Sequence, residues 1–135
     1  MGPDSPARAR QRYGDTTQWQ QYAERSASRG PKEWQAVAEA VAELDRALGN
    51  AMEAGVAPGS LEANRLVERH RDVFAASYFP LTRRMQVCLG RMYEADPGFS
   101  AHYDGVRTGL APWFRRIVDA SARAHGIDPD TATWR

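Results

Sequence analysis

Three histidines, one cysteine and a set of four Trp, five Tyr and four Phe are the groups in this 135-residue chain whose chemistry reaches beyond packing. His70 sits on an apolar stripe with Ala63, Leu66, Phe74 and Tyr78. An imidazole there is either a core side chain hydrogen-bonded to a backbone carbonyl, or a cavity-lining donor to a ligand carbonyl or heterocycle. His70, His102 and His125 lack the i, i+4 pairing of a helical zinc site, so no metal is expected. The lone Cys88 excludes an internal disulfide and a cysteine-based zinc site. No lysine or arginine is clearly placed to lower its pKa, and an ordinary buried thiol is expected. Trp19, Trp34, Phe74, Tyr78, Tyr103 and Trp113, with Met85 and Met92, either form a core or wall a cleft for a flat heteroaromatic ligand. Asp15, Asp45 and Glu62 are acids able to receive polar ligand groups, but nothing singles them out. There is no nucleophile elbow, phosphate loop or nucleotide fingerprint, which disfavours an enzyme and leaves no cofactor expected.

Helices must position these groups. Asp15 can cap a helix over 15–28 with a thin apolar face of Trp19, Tyr22 and Ala23. Pro31 opens the next, with Trp34, Val37, Val41, Leu44, Leu48 and Met52 at spacings of three and four, and Gly55 is a left-handed cap. Ser60 caps a third helix that Pro80 must end. A fourth turns Leu81, Met85, Cys88, Leu89 and Met92 inward. Asp96-Pro97 starts a short fifth with Phe99, His102, Tyr103 and Val106 on one face. The sixth runs over 109–125, with Leu110, Trp113, Phe114, Ile117 and Ala124 toward the core. No segment alternates with period two. The expected fold is all-α, about six helices in irregular, globin-like packing around a ligand cleft. Residues 1–12 read as disordered, 13–126 as the domain and 127–135 as a loose tail whose Trp134 can dock on the rest.

Eighteen basic residues against 17 acidic ones leave a net charge of +1, so no broad basic field is present to hold a nucleic-acid backbone. No apolar run approaches a membrane span, and the N-terminus lacks a signal-peptide core. A cytoplasmic monomer without nucleic-acid or membrane partners is expected.

The ordered set of Tyr13-Gly14-Asp15, Glu33-Trp34, His70-Arg71 and the stretch LGRMYEADPGFSAHYDGVRTGLA over 89–111 resembles the TipAS antibiotic-recognition domain. That family is the effector half of thiostrepton-induced MerR-type regulators and also occurs alone as a drug-binding protein. The resemblance spans about 13–126. It implies binding of a bulky peptide-like or oligo-aryl antibiotic, with resistance by sequestration. The alternatives are an isolated effector domain of a drug-responsive regulator and, from another class, a drug-modifying enzyme using His70 or Cys88. Twelve residues before Tyr13 cannot hold a winged helix-turn-helix, so the DNA-binding half is expected to be absent.

The expected ligand contacts are Trp19 and Tyr22 from the first helix and Trp34, Val41 and Leu44 from the second. His70, Phe74 and Tyr78 follow from the third, Met85, Leu89 and Met92 from the fourth, then Tyr103 and Trp113. The main cavity is expected between the helices over 31–54, 60–78 and 81–95. Trp34, His70, Phe74, Tyr78 and Met85 are expected to serve affinity more than stability. The helix over 15–28 is expected to order on ligand binding as a lid. The resemblance also implies a cysteine before a Gly-Leu-Gly run, able to capture dehydroalanine-containing drugs covalently. Here Val87-Cys88-Leu89-Gly90 places the thiol one residue late, and Phe79-Pro80-Leu81-Thr82 replaces a second cysteine and polar residues of the family. Non-covalent binding is therefore expected.

Overall fold

A computed structural model describes residues 17–135 of the chain. The expected disordered segment over 1–12 and the Asp15 cap lie outside the described residues. Among the described residues six helices follow one another: α1 (Thr17–Ala27), α2 (Pro31–Glu53), α3 (Leu61–Ser77), α4 (Arg83–Ala95), α5 (Pro97–Val106) and α6 (Leu110–Ala124). The fold is all-α.

Local chemistry explains most of the boundaries. Ser60 Oγ accepts from the Ala63 N–H at 3.2 Å, and Thr82 Oγ1 accepts from the Met85 N–H at 3.2 Å. Asp96 Oδ1 accepts from Gly98 and Phe99 at 2.9 and 3.2 Å, with Pro97 in the first turn, where its missing N–H costs nothing. Each such cap contributes about 1 kcal/mol. Gly55 and Gly109 take φ of +82° and +87°, a left-handed backbone that a side chain resists, and so reverse the chain after α2 and before α6.

Helices α4 and α6 pack along each other more extensively than any other pair. Leu89, Tyr93, Leu110, Phe114 and Ile117 are wholly buried at or near this seam. Tyr93 is the hub of an aromatic cluster, with ring centroids 4.8 Å from Phe99, 5.1 Å from Tyr103 and 5.8 Å from Phe114. Helix α2 crosses α3, α5 and α6 only from Val41 onward.

Three expectations need correction. Residues of α2 before Val41 do not form a buried stripe: Trp34 is 39% exposed and Val37 is half-buried, because no helix among the described residues covers the first turns. Ala124 is exposed at the end of α6. The tail is not loose. Pro129 and Ala132 are buried, Arg91 Nη1 donates to the Ala132 carbonyl at 3.0 Å, Thr82 Oγ1 donates to the Arg135 carbonyl, and Trp134 meets Phe79 edge-on at 6.2 Å.

Helix α1 is attached differently. Its backbone packs only loosely on the rest, and a few side chains carry the contact. Trp19 inserts edge-on against Phe79 at 5.0 Å, and Tyr22 meets Tyr78 at 5.1 Å. Arg25 donates to the carbonyls of Ala75, Ala76 and Tyr78 at 2.8, 3.2 and 2.9 Å, and Arg29 donates to that of Ser77. Two guanidinium groups thus cap the C-terminus of α3, where the last carbonyls have no helical partner and the helix dipole favours cations. The sequence reading of a thin apolar face missed this polar latch.

Candidate ligand-binding site

The seam between α2, α3 and α5 does not close completely. Val41, Leu44 and Asp45 from α2, His70, Val73 and Phe74 from α3, Tyr78 just beyond it and Tyr103 from α5 enclose a small cavity. It leaves about 10 Å³ for the centre of a water molecule, the room of one polar atom rather than of a ring. On the far side of Tyr78 lies an open groove of about 360 Å³ along Trp19, Tyr22, Ala23, Ser26 and Ala27 of α1. Tyr78 touches both Tyr22 and Phe74, with centroids 5.1 and 4.7 Å apart, so its ring lies between a residue of the groove and a residue of the cavity.

Polar chemistry converges on the cavity. Asp45 is 6% exposed, and His102 Nε2 lies 3.0 Å from its Oδ2. Burial works against ionisation of this carboxyl, yet its pKa falls below its ordinary value, the hydrogen bond with His102 being the largest cause that lowers it. Asp45 is a carboxylate. His70 is 1% exposed. Burial lowers its pKa to about 3, against the pull of Asp45, so the ring is neutral. Burial, reinforced by Tyr22, pushes the Tyr78 phenol up to about 12, and burial holds Tyr93 and Tyr103 well above the usual tyrosine range.

Gln86 of α4 determines which way round that neutral ring works. Its Nε2 lies 2.9 Å from the Val67 carbonyl and 2.9 Å from His70 Nδ1. A carbonyl only accepts, so the amide NH₂ must face it. The second N–H then points at Nδ1, which must accept. The His70 proton is therefore on Nε2, and Nε2 has no partner among the described residues.

The sequence-predicted ligand residues fall into three groups. Val41, Leu44, His70, Phe74, Tyr78 and Tyr103 line the cavity, while Trp19 and Tyr22 line the groove. Met85, Leu89, Met92 and Trp113 line neither, and are buried in the core around α4 and α6. Trp113 Nε1 donates to the Val56 carbonyl at 3.2 Å. Trp34 is on the surface, with the Arg29 guanidinium 5.1 Å above its ring. The cavity thus takes its third wall from α5, not from the expected fourth helix, because Tyr103 fills the space in front of α4. Phe74 and Met85, 2% and 1% exposed, belong to the core, so their truncation damages stability as well as any affinity. Val73, Gln86 and His102 were missed. Gln86 carried a signal, the one polar side chain between Met85 and Gly90.

Cys88 is buried and outside the cavity lining, its sulfur 3.7 Å from the Ala132 carbonyl beneath the tail. Among the described residues no three His, Cys, Asp or Glu side chains come together as metal ligands, and no helix is long and apolar enough to cross a membrane.

An irregular helical bundle with a polar-edged cavity and an adjoining aromatic groove is the architecture of a ligand-binding domain. The chain belongs to the TipAS antibiotic-recognition domain family, whose model matches residues 6–121. It is 33% identical over 116 residues to the HTH-type transcriptional activator TipA of Streptomyces coelicolor and, equally, of Streptomyces lividans. Each alignment takes in 86% of this chain and 46% of the relative, so the chain spans about half the length of these activators. Among solved structures it resembles TipAS of Streptomyces lividans in complex with nosiheptide, described as part of a thiopeptide antibiotic multidrug resistance system. The TM-score is 0.79 at 32% identity, over 93% of this chain and 88% of that one.

Proposed function

We propose that this chain binds thiopeptides and related bulky peptide-like or oligo-aryl antibiotics, and confers resistance by sequestering them in the cytoplasm. The observation that carries this reading is the likeness of 93% of the chain to a domain solved with nosiheptide bound. The enclosed cavity is far too small for such a drug. The ligand therefore lies along the α1 groove and over Tyr78, and sends only a small group into the cavity. The protein acts as a monomer, without cofactor or catalysis, and has no nucleic-acid partner of its own. A second reading, an effector domain working with a DNA-binding half, is favoured by the activators to which the chain is similar.

The test is thermal unfolding with nosiheptide. A ligand at 100 times its dissociation constant adds about 2.7 kcal/mol, or several degrees for a domain of this size. Unchanged melting at saturating drug contradicts the reading. Mass spectrometry of the recovered drug separates binding from modification, since only an enzyme returns an altered product.

Binding is expected to be non-covalent. Cys88 lies under the tail and outside both cavity and groove. Intact-mass measurement after incubation with nosiheptide is expected to show no adduct, and Cys88→Ser to keep its affinity within about threefold, less than 1 kcal/mol. An adduct mapped to Cys88 overturns this.

Helix α1 is expected to close over the bound drug. In the free protein its amides should exchange much faster than those of residues 44–52, because side-chain latches rather than backbone packing hold it. Nosiheptide should slow them, and Arg25→Ala should weaken that protection by about 1 kcal/mol through loss of the caps on α3. Equal protection of α1 and residues 44–52 in the free protein rules out the lid.

A further inference from the structure

The cavity is bordered by a residue that carries a buried donor with nothing to donate to, the Nε2–H of His70. Leaving a buried N–H unpaired costs about 1 to 3 kcal/mol, so native proteins rarely keep one without a use.

The His70 donor is also held in place. Gln86 is 1% exposed and its NH₂ is fully engaged between the Val67 carbonyl and His70 Nδ1. Phe114 and Phe74 pack beside the imidazole, with centroids at 4.8 and 6.1 Å. The ring therefore cannot swap its tautomer without breaking a buried hydrogen bond. Gln86 does not line the cavity, whereas His70 does. The imidazole thus turns its Nδ1 edge to Gln86.

The geometry points to an acceptor-reading subsite: the cavity takes one hydrogen-bond acceptor atom of the ligand, a carbonyl oxygen or an unprotonated ring nitrogen, on the Nε2–H of His70, and Gln86 fixes that polarity. The space for one polar atom suits this role and excludes a whole ring. Ligands that present an N–H or O–H at this point are rejected, because donor would meet donor. His70 is the contacting residue and Gln86 a positioning residue. This deepens the antibiotic-binding reading and rests on it only for the choice of nosiheptide as ligand.

The experiment is a ¹⁵N-detected titration of the full chain, following the His70 ring nitrogens. Two probes are used: nosiheptide, and acetonitrile, a thin acceptor with no donor. The expected result is an Nε2-protonated ring in the free protein and a saturable shift of the Nε2–H resonance with both probes. His70→Phe, checked for folding by chemical denaturation, is expected to lose at least tenfold in nosiheptide affinity. If that variant does not fold, Gln86→Leu replaces it. It is expected to show mixed tautomers and a weakened acetonitrile response, which a purely structural role for Gln86 would not produce. An Nδ1-protonated ring, or an acetonitrile shift that never saturates, overturns the subsite. So does nosiheptide binding that leaves the Nε2–H resonance unmoved and is unchanged in His70→Phe. A saturable acetonitrile shift without nosiheptide binding upholds the subsite and overturns the thiopeptide reading instead.

Discussion

Acidification from pH 7 to pH 4 is expected to cost the fold about 3 kcal/mol through His70 alone. The ring is buried neutral with its pKa lowered to about 3, while the unfolded chain exposes it with an ordinary value near 6.5. Between those two values the unfolded state binds a proton that the folded state refuses. The contribution to stability is therefore fully present above about pH 6.5 and is lost as pH falls through the window toward 3. Its slope is about 1.4 kcal/mol per pH unit, and the whole loss approaches roughly 5 kcal/mol. Asp45, also depressed, adds its own loss at the lower end of the range. Urea denaturation of wild type and His70→Phe at pH 7, 6, 5 and 4 isolates the histidine, since only the wild type carries this slope between pH 6 and 4. Equal slopes for the two proteins, or a His70 imidazole that titrates near 6.5 by NMR, would show that the ring is not buried as described.

Tyr103→Ala is expected to destabilise the domain by about 3 to 5 kcal/mol, the range for removing a large buried aromatic side chain. Tyr103 is 1% exposed, stacks on Phe114 with planes only 11° apart and packs against Tyr93 at 5.1 Å. It also forms the α5 wall of the cavity. Its removal therefore merges the cavity with the aromatic core instead of opening a better binding site. Tyr103→Phe keeps the packing and loses a hydroxyl that bonds to Tyr93, so about 1 kcal/mol is expected. Chemical denaturation of the two variants checks this, and a loss below 1 kcal/mol in Tyr103→Ala would show that α5 is not an integral part of the core.

These expectations depend on tertiary detail that the sequence held unevenly. The helix starts at Pro31, Ser60 and Asp96-Pro97 were legible because a cap is a local event, written in adjacent residues. The stripe of α2 was legible in its period but not in its extent. Trp34 and Val37 continue the spacing of Val41 and Leu44, yet periodicity records which side of a helix is apolar and not whether another helix reaches it. Val41, Leu44, His70, Phe74 and Tyr78 were chosen from their own helices, and the cavity unites them with Tyr103 from α5. Met85, Leu89 and Met92 share the same apolar character, and only the position of Tyr103 decides that they face the core instead. The His70 tautomer could not be read at all, because it depends on Gln86, which lies on another helix and bonds to the Val67 carbonyl. The tail was misread for a similar reason: Ala132 is too small to announce burial, and its docking depends on Arg91 and Phe79.

Titration calorimetry of the chain with nosiheptide tests the central claim most directly. Binding in the α1 groove, over Tyr78, predicts a saturable 1:1 isotherm with a dissociation constant of about 1 µM or tighter, equivalent to about 8 kcal/mol. The heat-capacity change should be negative, as burial of aromatic surface requires. No saturable heat up to the solubility limit of the drug, with no change in melting temperature, would contradict the account.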